Sequence, residues 1–462
     1  MSQDYLGNPI DSQRDDTQRG IDDFVGGFLG YQPRAENIIA VADADPQSVL
    51  ANAFAGLLMM FIESPAGPGL AEHYRQRAEQ ASPASHARAE LYLRVLNAWT
   101  TDDVPQVLAL TEQLVDEYPR DLFAVKLNQY LHFNCGDWPA MLRIAIKALE
   151  KASDIAHTHG LLAFAYEQCH LLDQAELSAR KALALQPDEP WAQHALAHVL
   201  LTQGRINEGT AFLQQASLGW AGLNSFMQTH NWWHLALFHL ARGRHRQVLD
   251  IYDQHVWGVF PEYSQDQIGA VSLLTRMELA GIDVGLRWQS LGEYLRVRTE
   301  DTVQPFLSLQ YLYGLARAGL ASEAAQLLDA LTARARHAPL FSRAVWSETC
   351  LPLAHGLLAH AQGDYAAAAR WLAGALPRLN EIGGSHAQRD LFALIELDAR
   401  VQSGDWLAAQ QTLESRRRYD GFDVPTNLGL ERVYHALDLP AEARRARQRV
   451  TEVLAPQDTI KH

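Results

Sequence analysis

The feature that most constrains the fold of this chain is an internal repetition with a period of 34 residues. Residues 162–176 align with residues 196–210 at this offset, and Ala163 then falls on Ala197. A fixed period of this length indicates stacked supersecondary units, each of which buries its apolar face only against its neighbours. We therefore expect an elongated array rather than a single compact core.

Each repeated unit is predicted to be a pair of helices joined by a short turn. Small residues recur at the turn and early in the second helix, in the segments that begin at Gly204, Gly319, Gly363 and Gly404. Small side chains there allow two helices to approach closely. The period and the turn pattern are typical of tetratricopeptide repeats, and no segment shows the apolar–polar alternation of a strand. The predicted fold class is all-α, a right-handed α-solenoid of tetratricopeptide-like helix–turn–helix repeats.

The spacing of the turn glycines divides this predicted solenoid into three continuous parts. Residues 1–65 are expected to form an N-terminal helical cap that ends near a short Pro- and Gly-rich loop. Residues 66–220 are expected to contain regular repeats. Residues 221–462 are expected to contain irregular repeats and C-terminal helices, because the intervals between turn glycines there exceed 34 residues.

Composition narrows the classes of function. The chain has 39 basic and 54 acidic residues, a formal net charge of −15, whereas nucleic-acid-binding proteins neutralise phosphates with basic side chains. The longest apolar stretch, residues 53–62, is too short to span a membrane. We therefore expect neither a nucleic-acid nor a membrane partner. Three widely spaced cysteines and the absence of a signal segment predict a cytoplasmic location, and self-association stays open.

The repeat register places an unusual set of side chains on one inner strip. In repeats of this class the first helix of each pair lines the concave face, and the chain contains 19 His and 11 Trp. The register of three successive repeats puts the following residues on or beside that face: His157, Glu167, Trp191, His194, His198, His230, Trp233 and His234. The strip predicts a concave pocket lined by His and Trp.

Two pairs of these histidines are spaced four residues apart, so each pair lies on one face of its helix. Imidazoles at this spacing can share a metal ion or a substrate. The predicted metal ligands are His194, His198, His230 and His234, and the cofactor would be a divalent transition metal. In a catalytic site, His194 and His198 would act together with Glu167. Two alternatives stay open: a polar and aromatic pocket without a metal, and histidines that only pack between helices.

The second unusual segment is residues 383–390. Ser385 and Gln388 fit a capping box, and a helix N-terminus with a nearby arginine is suited to an anion. We therefore predict that His386, Arg389 and Asp390 belong to the ligand-binding set, brought to the His strip by the curvature of the superhelix. The alternative is a capped helix on the outer rim.

Several segments carry a resemblance to a known family. They are residues 4–10, 42–46, 194–205, 230–238 and 384–390. In these segments, and from about residue 4 to 450 as a whole, the chain resembles the tetratricopeptide-repeat protein 38 family. The resemblance implies a bacterial-type, soluble tetratricopeptide-like protein, and it implies no particular reaction.

Two functions of different classes follow from these observations. The first is a binding or scaffold protein that takes a small molecule or a peptide into the concave pocket. The alternative is an enzyme, with or without a metal, whose active site lies in the same pocket. That site would be built from His194, His198, His230, His234 and Glu167.

Overall fold

The structure, a computed structural model, describes residues 2–82 and 86–455. Over these residues nearly all of the regular secondary structure is helical, which confirms the predicted all-α solenoid. The exception is a short antiparallel ladder between Ser2–Gln3 and Pro9–Ile10. None of the described helices has the length and apolar character needed to cross a membrane.

Four helices form the N-terminal region, and helix pairs follow to the C-terminus. The first four are α1 Asp15–Leu29, α2 Asn37–Ala44, α3 Val49–Met60 and α4 Gly67–Ala81. The next eight are α5 Ala87–Thr100, α6 Val104–Glu117, α7 Leu122–Asn134, α8 Trp138–Ala152, α9 Ala156–Gln168, α10 Leu172–Leu185, α11 Pro190–Thr202 and α12 Ile206–Ala216. The following eight are α13 Ser225–Ala241, α14 His245–Ile251, α15 Ser264–Leu279, α16 Arg287–Leu295, α17 Pro305–Arg317, α18 Ala321–His337, α19 Leu340–Ala344 and α20 Leu351–Ala361. The last five are α21 Tyr365–Ala375, α22 His386–Ser403, α23 Trp406–Arg417, α24 Val424–Ala436 and α25 Pro440–Leu454.

Shorter helical turns connect several of these elements. Three are 3₁₀ turns: Pro33–Glu36, Ser217–Gly222 and Leu376–Ile382. Two are π-helical turns: Tyr252–Val256, which extends α14, and Val345–Cys350, which joins α19 to α20. Apart from Pro33–Glu36 in the N-terminal region, these turns fall in the part of the chain where the repeat spacing exceeds 34 residues.

The two helices of a pair are buried in different ways. The first helix, such as α9, is buried on nearly all sides, and even its Glu167 has no exposed surface. The second helix, such as α10, buries only the stripe that includes Ala175, Ala179 and Ala182. First helices therefore face the interior of the superhelix, and second helices form its outer layer with the usual amphipathic pattern.

The superhelix curves far enough for distant repeats to touch. Arg334 on α18 forms an ion pair with Asp102, in the turn between α5 and α6, at 2.6 Å. Near α22, the backbone of Gly383 lies against the backbone of Asn134 at the end of α7. The helix array therefore closes around an interior instead of leaving an open groove.

A buried group of ion pairs anchors the N-terminal ladder. Arg88 on α5 lies 3.0 Å from Asp4 and 2.8 Å from Asp121, and the three side chains have no exposed surface. The Tyr92 hydroxyl also donates a hydrogen bond to Asp121, at 2.8 Å. Because a buried charge without a partner costs several kcal/mol, these residues hold the start of the chain against the first repeat.

Alanine at Gly136 is predicted to weaken the closure of the superhelix. Gly136, in the α7–α8 turn, has a φ of 70°, and a Cβ there would overlap the carbonyl oxygen of Asn380. Gly363→Ala is the matched control, because Gly363 has a φ of 80° and open space around it. In both variants the free energy of unfolding should fall by about 1–2 kcal/mol, because alanine is strained at a positive φ. Gly136→Ala should lose about 1–3 kcal/mol more through overlap.

Urea unfolding of the two variants and the wild type measures this difference. Equal losses of free energy of unfolding in Gly136→Ala and Gly363→Ala would show that the Gly136–Asn380 contact does not form in solution.

Candidate functional site

A central cavity of about 540 Å³ lies inside the closed superhelix. Its walls come from the segment after α1, the end of α3, and parts of α7, α9, α11, α13, α17 and α22. Aromatic side chains dominate these walls, among them Phe28, Tyr31, Tyr130, Phe164, Trp191 and Phe226. A volume of this size suits a small organic molecule, for which aromatic walls provide apolar contact.

The segment after α1 enters the interior and forms one wall of the cavity. The Tyr31 ring stacks on Trp191 of α11 at 5.4 Å between centroids. The backbone N–H of Asn224, just before α13, donates a hydrogen bond to the carbonyl of Tyr31 at 2.6 Å. This segment therefore occupies space that would be open groove in a simple repeat array.

Lys126 on α7 is a buried cation in the cavity wall. Its Nζ donates hydrogen bonds to the carbonyls of Phe28 at 3.1 Å and Leu29 at 3.4 Å. The same atom lies 3.5 Å from the centroid of the Tyr31 ring. Burial lowers the pKa of Lys126 to about 7, and the negative charge of Glu189 partly opposes this shift. The amine is therefore close to losing its proton at neutral pH.

Glu63 is the buried carboxylate of the cavity wall, and neutral donors surround it. It accepts hydrogen bonds from the Tyr130 hydroxyl at 2.6 Å and from the Ser264 hydroxyl at 3.1 Å. The side-chain amides of Gln304, at 3.3 Å, and of Gln265 also donate to it. Burial raises the pKa of Glu63, and these four donors limit the rise. The carboxylate links α7, α15 and the start of α17 to the end of α3.

Four histidines meet at one end of this interior. His194 and His198 project from α11, and His230 and His234 from α13. One ring nitrogen of each lies within 4.8 Å of the corresponding atoms of the other three. The Nε2 atom of His194 lies 3.0 Å from Nε2 of His198 and 3.0 Å from Nε2 of His230. We call these four residues the His cluster.

The His cluster lies in a dry environment. His194, His198 and His234 are almost fully buried, and His230 is half-buried. Burial, reinforced by the neighbouring imidazoles, lowers the pKa values of His194 and His234 well below 6.5. Burial also lowers the pKa of His230, to about 3. These three imidazoles are therefore neutral at physiological pH and have lone pairs available.

Glu167 of α9 is the carboxylate next to the His cluster. Its Oε1 lies 3.5 Å from Nδ1 of His198, and the side-chain amide of Gln168 donates to its other oxygen. Burial raises the pKa of Glu167, but the neighbouring His198 more than offsets this, so the net shift is downwards. Glu167 thus places a negative charge behind His198.

Aromatic rings hold the cluster in place. Trp191 stacks on His194 at 4.5 Å between centroids, and Trp233 stacks on His230 at 5.4 Å with an interplanar angle of 8°. Phe164 packs against His194 at 5.2 Å. Trp191 lines the cavity, whereas the ring of Trp233 does not and instead lies behind His230.

Several buried polar atoms of this region have no hydrogen-bond partner in the part of the chain that the structure describes. They are Nδ1 of His194, both ring nitrogens of His234, Oε1 of Glu167 and the indole N–H groups of Trp191 and Trp233. Buried polar groups are normally satisfied, so this concentration marks the region as unusual.

The remaining sequence-predicted residues lie at different distances from the cluster. His157 pairs with Glu189, at 2.9 Å between Nδ1 and Oε1, and it does not reach the His cluster. His386 is closer, because its Nε2 lies 3.1 Å from the carbonyl oxygen of Gln168, the neighbour of Glu167.

Arg389 and Asp390 are held by partners of their own. Arg389 donates to the carbonyl of Gly384, and its guanidinium lies 4.7 Å from the ring centroid of Trp138. Asp390 accepts two hydrogen bonds from Arg416, at 2.6 and 2.9 Å. The first turn of α22 therefore adjoins the region of Glu167, while the carboxylate of Asp390 pairs with α23.

Sequence reasoning missed Tyr31, Glu63 and Lys126 as residues of the cavity wall. The repeat register assigns groove positions only within repeats, and Tyr31 and Glu63 precede the regular repeats. One signal was available in the run Phe28-Leu-Gly-Tyr31, whose aromatic residues continue past the end of α1 into a turn. Lys126 lies on a first helix, α7, where a charged residue among buried neighbours is unusual.

No protein-family model matches the chain. Similar solved structures include a human IFIT1 dimer with PPP-AAAA, 13% identical at a TM-score of 0.41, over 95% of this chain and 100% of that chain. A Rap protein complexed with Competence and Sporulation Factor is 11% identical at a TM-score of 0.39, over 88% and 97%. Yeast Tom70 is 10% identical at a TM-score of 0.28, over 80% and 92%. Similarities at this level carry no argument about function. The helix pairs themselves define a tetratricopeptide-like helical repeat protein.

Lys126→Met is predicted to remove a pH-dependent component of stability. The ordinary pKa of lysine is 10.5, and that of Lys126 in the folded chain is about 7. Between these values the unfolded chain holds a proton that the folded chain lacks, so wild-type stability rises with pH. One pKa unit corresponds to about 1.4 kcal/mol. From pH 7 to 10, the free energy of unfolding of the wild type should therefore rise by about 4 kcal/mol relative to that of Lys126→Met.

Urea unfolding at pH 6, 8 and 10 checks this, with Lys181→Met as the control because Lys181 is exposed on α10. The difference in free energy of unfolding between wild type and Lys181→Met should not change with pH. A constant difference for Lys126→Met as well would mean that Lys126 is solvated and keeps its ordinary pKa.

Proposed function

We propose that this protein binds a small, mainly apolar molecule in the central cavity. The observation that carries the proposal is the aromatic-walled cavity of about 540 Å³ inside the superhelix. This volume lies within the range of about 300–1,000 Å³ that is usual for small-molecule sites. Polar groups are few and come from separate walls, which is the arrangement that orients a ligand within an apolar pocket.

The same geometry favours a small molecule over a peptide. A peptide in a helical repeat array needs a continuous groove along the first helices. Here the Tyr31 segment fills part of that groove, and the contact of Gly383 with Asn134 closes another part. The remaining space is a compact cavity, so an extended chain would have to displace the Tyr31 segment.

The chemistry of the wall restricts the ligand. The aromatic rings provide apolar faces, and Lys126 provides an amine whose proton is weakly held. The oxygens of Glu63 are occupied by four donors from the chain, so Glu63 supports the wall more than it offers a free acceptor. These features fit a ligand with a large apolar body and at least one hydrogen-bonding group.

The second candidate function is an enzyme with its active site in the same cavity. It is favoured by one observation, the presence of His194 and His230 in the cavity wall. Neutral imidazoles next to an apolar site can act as bases or bind a metal. In such an enzyme Glu167 would orient His198, and the bound molecule would be the substrate.

Membership of the tetratricopeptide-repeat protein 38 family and a cytoplasmic location are further parts of the proposal. Support for the family comes from three of the resembling segments, residues 194–205, 230–238 and 384–390. They lie on or directly beside α11, α13 and α22, and each includes residues of the cavity wall. The three-part division at residues 65 and 220 stays a prediction.

Gln228→Trp is predicted to block the cavity. Gln228 is a half-buried residue of α13 in the cavity wall, and no hydrogen bond ties its side chain to another described residue. The control is Gln215→Trp, at an exposed position on α12. An indole in the cavity removes space that the ligand needs, so the affinity for an uncharged apolar probe such as N-phenyl-1-naphthylamine should fall at least about tenfold.

Fluorescence titration of the probe measures these affinities, and native mass spectrometry of the purified wild type shows any small molecule that co-purifies. The Gln215→Trp affinity should match that of the wild type. Equal probe affinity in Gln228→Trp and wild type would mean that the apolar site is elsewhere, and the proposal would fail.

A further inference from the structure

We propose that the His cluster is a mononuclear transition-metal centre with a coordination position that opens into the central cavity. The inference deepens the proposed function, on which it rests only for the statement that the cavity is a ligand site. The metal centre itself depends on the positions of His194, His198, His230, His234 and Glu167.

The distances within the cluster fit a shared metal ion. Imidazole nitrogens bind zinc and similar ions at about 2.0–2.1 Å, which places two ligands of a tetrahedral ion roughly 3.3 Å apart. Nε2 of His194 lies 3.0 Å from the Nε2 atoms of His198 and His230, and all four donors lie within 4.8 Å of one another. Small side-chain rotations therefore suffice to place all four nitrogens around one ion.

Glu167 supplies a feature that packing alone does not require. A histidine that binds a metal commonly donates its other ring N–H to a carboxylate, which fixes the tautomer and the ring orientation. Glu167 lies 3.5 Å from Nδ1 of His198, while Nε2 of the same ring points at the centre of the cluster. With the proton on Nδ1, the lone pair of His198 is on Nε2, where a metal would bind. The buried carboxylate also offsets part of the charge of the ion.

Hydrogen bonding within the chain does not satisfy the cluster. A neutral imidazole has one N–H donor and one acceptor nitrogen. Neither ring nitrogen of His234 has a hydrogen-bond partner among residues 2–82 and 86–455, although this ring is completely buried. A metal would bind the ring nitrogen of His234 that carries the lone pair. Packing without a metal would leave both ring nitrogens unused, which is costly in a dry interior.

The donor set indicates the class of metal. Four imidazoles with no thiolate favour zinc or another divalent first-row transition ion, and they disfavour calcium and magnesium, which prefer oxygen ligands. The structure also defines which side of the His cluster faces the cavity. His194 and His230 line the cavity, whereas His198 and His234 lie behind them. Four imidazoles complete a tetrahedral set, so an additional ligand would be a fifth one, and it would approach past His194 and His230.

Metal analysis of the untagged, full-length protein tests the centre. We expect about one equivalent of a transition metal per chain after purification or after reconstitution with Zn²⁺ or Co²⁺. His234→Gln should reduce the bound metal to below about 0.1 equivalent. His239→Gln is the matched control, because His239 is a buried histidine of the same helix outside the cluster, and its metal content should equal that of the wild type.

Glu167→Gln keeps the shape of the side chain and tests the role of the carboxylate. Loss of such a partner typically weakens metal binding about 10–100-fold, and the far-UV spectrum should stay that of the wild type. A substoichiometric metal content in the reconstituted wild type, or equal metal content in wild type and a folded His234→Gln variant, would overturn the proposal.

The visible spectrum of the Co²⁺-substituted protein tests the open position. Addition of azide should shift the d–d bands if a coordination position faces the cavity, and the shift should be lost in Gln228→Trp. Bands that do not respond to azide would mean a closed, four-histidine centre. Probe titration of chelated protein separates the two proposals, since apolar binding without metal supports the cavity site even if the metal centre fails.

Discussion

The packing of the segment before α22 against the ends of α7 and α9 closes the superhelix, and the interior depends on this contact. Gly383 lies against the backbone of Asn134, and His386 contacts the carbonyl of Gln168 at 3.1 Å. Without this closure, the inner faces of the first helices would be exposed to water at a large apolar cost. With this closure, the first helices enclose a cavity at the centre of the superhelix, where helix pairs on opposite sides do not touch.

Closure also means that every polar group in the interior needs a partner. Glu63 has four neutral donors, and Lys126 has two carbonyls and the ring of Tyr31. The His cluster differs from both, because several of its nitrogens lack a partner within the described residues. Buried atoms without such a partner also occur elsewhere, as at Arg88 and Asp301. The His cluster and its neighbours nevertheless bring six such atoms together in one place, and a binding site explains that concentration better than imperfect packing does.

The repeat register predicted the meeting of His194 and His198 with His230 and His234 for a simple reason. Equivalent positions of adjacent repeats lie side by side, so two pairs with the same spacing face each other. The repeat register did not predict which side chains these residues would pair with. His157 has a groove position in the same alignment, yet it pairs with Glu189, because a register defines the face of a helix and not the side chains opposite it.

The sequence by itself determined the all-α repeat architecture and the inner face of each first helix, because both follow from local periodicity and from contacts between adjacent repeats. Only the tertiary structure decided which distant residues form the cavity. Tyr31, Glu63, Lys126 and Gln304 meet there because small rotations between successive helix pairs add up along the whole array. That sum depends on the packing of every pair, and no local pattern in the sequence encodes it.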